Sequence, residues 1–98
     1  MRIYDVIWKE RFAEKIADKH GLAIDEVEEV LFSKPHVRLA EKGRIKGEVL
    51  YAAYGQTQAG RYVFILYIRK RRAAAMPITA RDMTKAERRY YDGQKERG

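Results

Sequence analysis

The chain predicts an α+β domain with two N-terminal helices, a three- to four-stranded antiparallel sheet and a C-terminal helix. Three observations carry that expectation. Apolar residues recur at helical spacing up to Phe32, alternate with a period of two after Pro35, and return to helical spacing after Thr84. The 98 residues, 46% of them hydrophobic, are enough for one modest core and too few for two domains. No repeat or low-complexity linker divides them.

Tyr4, Val6 and Trp8 alternate with Asp5 and Ile7, which reads as a short first strand or an extended lead-in. Lys9 to Lys19 then reads as a helix. Trp8, Phe12, Ile16 and His20 lie on one i, i+4 row flanked by Ala13 and Ala17, and Gly21 supplies the stop. A second helix runs from Asp25 to about Phe32. Its apolar face is Ile24, Val27, Val30 and Leu31, its acidic face Asp25, Glu26, Glu28 and Glu29, and Lys34-Pro35 ends it. Val37, Leu39 and Ile45 read as strand residues around a turn at Glu41-Lys42-Gly43. Val49 to Tyr54 is a clear strand, closed by a hairpin loop from Gly55 to Gly60. Tyr62 to Ile68 is apolar throughout, as expected of a central strand covered on both faces. Ala73 to Ala80 forms the next strand, reached through Arg69-Lys70-Arg71-Arg72. Pro77 removes an amide donor, so this strand lies at an edge or is bulged there. The last helix covers Lys85 to about Gln94, with Gly93 to Gly98 fraying. Helices gathered on one side of the sheet would leave the other face to exposed Tyr and Arg residues.

Charge is segregated. Residues 1–59 carry ten basic and ten acidic residues, whereas residues 60–98 carry eleven basic against four acidic. The whole net charge of +7 therefore sits in the last third, which favours a polyanionic or acidic partner on one face over a general solubility role. The chain has no cysteine, so no disulfide or thiolate metal site is open to it, and its histidines, His20 and His36, show no metal-ligand spacing. No apolar run of about 18 residues or signal-peptide core is present. A cytoplasmic protein is the expectation.

Local instructions are densest between Ile78 and Tyr91. Thr84 is an N-cap candidate with Glu87 three residues on, the spacing of a capping box. Arg81 precedes that helix, and Lys85, Arg88, Arg89, Tyr90 and Tyr91 follow. A helix mouth surrounded by these cations and tyrosines suits a phosphodiester backbone, and the surplus cations are expected to converge there.

Three segments carry a resemblance. Trp8, the helix ending Lys19-His20-Gly21, Glu28-Glu29-Val30-Leu31 and the Lys34-Pro35 break are the first. Tyr54-Gly55-Gln56-Thr57 with Gly60-Arg61 is the second, and Ile78-Thr79-Ala80-Arg81-Asp82-Met83-Thr84 with Glu87-Arg88-Arg89-Tyr90 the third. Together they resemble the BrnT family of toxins from bacterial type II toxin–antitoxin systems. The resemblance implies a small ribonuclease with a RelE-like sheet and no metal or other cofactor. It also implies restraint by a small BrnA-like antitoxin that binds DNA. A homodimer or a toxin–antitoxin heterotetramer is the assembly to expect. The chain departs from the family in having Lys9 where Asp is usual, Ala23 where a polar cap is usual, and Met76 where an arginine is common.

Metal-free RNA cleavage needs a base for the 2′-hydroxyl, cations for the phosphorane-like charge, and a donor for the leaving 5′-oxygen. His20, Arg81 and Glu87 are the candidate catalytic residues. Each has a structural alternative: a helix C-terminal cap for His20, an ion pair with Asp82 or Glu87 for Arg81, and a capping carboxylate for Glu87. Arg61, Arg69, Lys70, Arg71, Arg72, Lys85, Arg88 and Tyr91 are the candidate RNA contacts, the basic run alternatively being a solvated turn. A non-catalytic RNA- or protein-binding module, such as a degenerate toxin, is the competing functional reading.

Overall fold

Residues 3–45 and 48–97 are described by the computed structural model. Asp5–Val6 forms β1 and Glu10–His20 forms α1. The first helix ends on Gly21, whose φ of 62° is the left-handed conformation that closes a helix, with its amide on the Ala17 carbonyl. Ile24–Phe32 forms α2. Ala23 has no side chain to cap it, and the Glu26 carboxylate instead accepts from the Ala23 amide at 3.0 Å. Four strands follow as an antiparallel meander: β2 at His36–Ile45, β3 at Glu48–Gln56, β4 at Tyr62–Lys70 and β5 at Ala74–Asp82. Lys85–Arg97 forms α3.

The α+β class holds, but the sheet differs from the expected three or four antiparallel strands. It has five strands in the order β1-β5-β4-β3-β2, and β1 runs parallel to β5. The lead-in becomes a strand because Tyr4 and Ile7 donate their amides to the carbonyls of Ala73 and Ala75. The turn expected at Glu41-Lys42-Gly43 is absent, because β2 continues to Ile45 through register shifts after Leu39 and Lys42. Pro77 behaves as the sequence demands. Leu66 pairs with Thr79 and Tyr67 with Pro77, so Ile78 is the extra residue of a bulge. Because β1 reaches only Ala75, the outer edge of β5 beyond it is open as well.

The helices are not gathered on one side. Ile16, Val27, Val30 and Leu31 pack on Ala53, Val63, Ile65 and Tyr67, while Tyr90 and Tyr91 pack on Ala52, Tyr54 and Phe64. Alternate strand residues face opposite ways, so α3 lies on the other face from α1 and α2. The switch is made just after β5, where Met83 donates its amide to the Tyr62 carbonyl and buries its side chain under α3. Gly55 allows α2 to approach closely: a Cβ there would lie 2.5 Å from Val30 Cγ1. Among the described residues no helix is long and apolar enough to cross a membrane.

Candidate functional site

The α3 face of the sheet holds a continuous cross-strand row. His36 pairs with Tyr54, Tyr54 with Phe64, and Phe64 with Arg81, so a single rung spans β2 to β5. Strands stand about 4.8 Å apart, which sets the backbones of His36 and Arg81 roughly 14 Å from each other. Side chains fill that span. The Arg81 guanidinium lies 4.3 Å over the Phe64 ring, Phe64 meets Tyr54 edge-on at 5.3 Å, and Tyr54 lies 6.0 Å from the His36 ring. Tyr90 descends from α3 into this row, with its hydroxyl 2.8 Å from His36 Nε2. Arg38, two residues beyond His36 on the same face, holds its guanidinium 5.2 Å over the Tyr90 ring. Its cross-strand partner is Ala52, whose small side chain leaves room in front of the row.

The electrostatics of the row follow from burial and these cations. Burial, and secondarily the Arg38 charge, lower the His36 pKa below its ordinary 6.5, so the imidazole is neutral at neutral pH. Burial raises the Tyr54 pKa despite the opposing pull of Arg38, so this phenol stays protonated. Arg81 is held in a bidentate pair with Glu87 at 2.7 and 3.0 Å. That pair, then the capping bonds to Thr84, hold the Glu87 carboxyl below its ordinary 4.5, so it is ionised at neutral pH.

The capping box forms as expected: Thr84 donates its amide to Glu87 Oε1 at 2.8 Å, and Glu87 donates its amide to Thr84 Oγ1 at 3.2 Å. The consequence is that the carboxylate of Glu87 already fills the helix mouth proposed for a phosphate. Its two oxygens accept from Arg81, and one of them also from the Thr84 amide, so the carboxylate fixes the plane of the guanidinium.

The candidate residues lie in several separate places. Arg81, Glu87 and Arg88 meet at the start of α3, with Arg88 4.3 Å over the Tyr62 ring. Tyr91 packs edge-on against Tyr62 at 6.0 Å and lines a cleft of about 420 Å3 with Glu29, Gln56 and Lys95. Lys85, Arg88 and Arg89 line a shallower hollow of about 260 Å3 on the outer side of the helix. Arg61 stands elsewhere, as a clamp beneath the α1–α2 corner. It donates to Asp82 at 2.7 and 3.2 Å, to the His20 and Gly21 carbonyls at 3.1 and 3.2 Å, and to Glu26. Every N–H of the guanidinium therefore has an acceptor, and His20 sits at this clamp, on the α1–α2 side of the sheet.

The run from Arg69 to Arg72 lies at the far end. Five residues of strand separate Arg69 from Phe64, roughly 17 Å, and Arg69 points to the opposite face. Lys70 is paired with Glu48 at 2.8 Å, and Arg72 turns the chain back with a φ of 60°. The expected convergence of all the C-terminal cations on one mouth therefore does not occur. Arg81 and Arg88 share a face, and the basic turn does not.

His36, Arg38, Tyr54, Phe64 and Tyr90 escaped the choice of site residues. A signal existed: reading Val37 and Leu39 as the core side of β2 puts His36 and Arg38 together on the other side. What stays hidden in one dimension is the register that aligns them with Arg81. Among the described residues no group of His, Asp and Glu side chains is placed to hold a metal ion.

Comparison with curated proteins gives no match. A family model does match, over residues 8–87, and it describes the ribonuclease toxin BrnT of a type II toxin–antitoxin system. That span includes the whole cross-strand row and stops three residues before Tyr90. The chain belongs to the BrnT family of ribonuclease toxins.

Proposed function

We propose that the chain is a metal-independent endoribonuclease toxin acting in the cytoplasm, and that RNA is cut on the α3 face of the sheet. Membership of the family implies an RNA target and an antitoxin partner; the assignment of the face and its residues is ours. The observation that carries it is that His36, Tyr54 and Arg81 share one rung, with Tyr90 bonded to His36 from α3 and Arg38 on the neighbouring same-face rung over the Tyr90 ring.

In this reading the scissile phosphate lies over Tyr54, between Arg38 and Arg81. The hydrogen-bonded His36–Tyr90 pair accepts the 2′-hydroxyl proton, a task suited to an imidazole neutral at pH 7. The 2′-oxygen attacks phosphorus, and the two guanidinium groups stabilise the charge that gathers on the phosphoryl oxygens. Tyr54 donates its proton to the departing 5′-oxygen, leaving a 2′,3′-cyclic phosphate. Glu87 fixes the plane of Arg81, and Phe64 supports it from below. His36 takes the role of base in preference to His20, which stands on the other side of the sheet.

Incubation of RNA with the protein and excess chelator tests this. Cleavage persists, and Arg81→Ala abolishes it while the fold survives; undiminished cleavage by that variant would refute the site. A small DNA-binding antitoxin, BrnA-like, blocks the face when bound and prevents growth arrest on expression. The second reading, a degenerate toxin that only binds, is favoured by one feature: Arg81 is already neutralised by Glu87. It predicts RNA binding without breakage.

A further inference from the structure

A cleft of about 490 Å3 opens at the edge of β5, between Arg11, Phe12 and Lys15 of α1 and the strand residues Glu48, Ile68, Met76, Ile78 and Thr79. It exists because of how β5 is built. The parallel strand β1 leaves β5 after Ala75, and the bulge at Pro77 inserts Ile78, so the strand edge is uncovered where α1 passes. Its floor is apolar: Ile68 and Met76 are cross-strand partners, and they pack with Leu50 and Ile78. Its wall is cationic. Arg11 leans on the Phe12 ring at 4.7 Å, and among the described residues neither Arg11 nor Lys15 has a carboxylate partner.

The cleft lies further along β4 and β5 from the proposed cutting row, on the same face of those strands. Thr79 faces Leu66 on the rung next to the one that joins Phe64 and Arg81, and Met76 faces Ile68 further along. Same-face positions on a strand are roughly 7 Å apart, a distance comparable to one nucleotide of an extended single strand. We infer that this cleft is a nucleotide subsite, holding a base of the RNA flanking the scissile phosphate on Ile68, Met76 and Ile78. Arg11 and Lys15 grip the adjoining phosphates, and the Thr79 hydroxyl is the polar group available to discriminate the base edge. An apolar floor beside two cations without carboxylate partners, with the Glu48 carboxylate already taken by Lys70, fits a base with its phosphates better than it fits an apolar peptide. The inference rests on the reading that this face cleaves RNA.

Two measurements on the full chain test it. In the first, a short fluorescent 2′-O-methyl RNA, which lacks the nucleophile, is titrated between about 50 and 200 mM salt. Each phosphate contact on a single strand contributes about 0.7 to the salt slope, so Arg11→Ala with Lys15→Ala lowers the slope by about 1.4. With the two proteins equal at 1 M salt, that slope change makes affinity fall roughly 60-fold at 50 mM and roughly tenfold at 200 mM. Lys9→Ala with Lys19→Ala, which removes the same charge at the two ends of α1, leaves the slope unchanged. In the second, the cleavage positions on a natural RNA are mapped, and Thr79→Val redistributes them. An unchanged slope and unchanged cut positions, with wild type cutting normally, overturn the subsite and leave the nuclease reading standing. Absence of both binding and cutting in wild type overturns both. Normal RNA behaviour with loss of antitoxin binding in the Arg11/Lys15 variant makes the cleft a protein contact and also overturns the subsite.

Discussion

Arg61→Ala separates a structural arginine from an RNA contact. The side chain is 29% exposed and joins three parts of the chain: the end of α1, the start of α2 and the end of β5. Its carboxylate partners contribute little by themselves. Glu26 and Asp82 are 33% and 61% exposed, and exposed ion pairs are worth about 0–1 kcal/mol. The larger loss is the two charge-assisted bonds to the His20 and Gly21 carbonyls, at about 1 kcal/mol net each after partial rehydration. The expected destabilisation is about 2–3 kcal/mol. For a domain of this length each kcal/mol moves Tm by about 4–8 °C, so a fall of about 10–20 °C is expected in a thermal melt. Arg61→Lys recovers little, because an ammonium cannot satisfy the fork of acceptors. The pH dependence has a definite sign. The Arg61 bond holds the Asp82 pKa below its ordinary 3.8, so the contribution of this pair is full above 3.8 and is lost as pH falls through the lower folded value. The gap between wild type and variant therefore narrows in acid. An unchanged Tm with weakened RNA binding would refute the clamp and restore Arg61 as an RNA contact.

Other substitutions test the packing. Gly55→Ala drives a methyl into Val30, which is fully buried, and costs about 1–3 kcal/mol by denaturant unfolding. Tyr67 carries a buried hydroxyl with no hydrogen-bond partner among the described residues and a pKa pushed up to about 12 by burial. Tyr67→Phe removes that desolvated group and leaves stability unchanged or raised by about 1 kcal/mol, read from the urea midpoint. Ala73 turns the β4–β5 hairpin with a φ of 55°, so Ala73→Gly stabilises by about 1 kcal/mol in the same assay.

How much of this was legible depended on range. The capping box at Thr84, the stop at Gly21 and the edge or bulge that Pro77 requires are local chemistry, and each stands where the residues put it. The parallel pairing of β1 with β5 joins Val6 to Ala75 across most of the chain, and no local pattern encodes it. The placement of α3 was hidden for a related reason. Residues 62–68 are apolar on both sides, so alternation did not say which helix covers which face. Within the site, Arg81 and Glu87 were visible as neighbours in sequence. His36 was not, because its relation to Arg81 exists only through the register of four strands. The place of the basic run at Arg69 to Arg72 was not legible, because charge composition records sign and not direction.

The most direct measurement is the pH dependence of single-turnover RNA cleavage by wild type and His36→Ala, in chelator. With His36 as the base, the wild-type rate rises as the imidazole loses its proton and levels off by neutral pH, since its pKa lies below 6.5. His36→Ala loses that limb and about 10²–10⁴ of the rate, with its melting curve still cooperative. Equal rates and an identical profile in the variant would contradict the assignment of this face as the cutting surface.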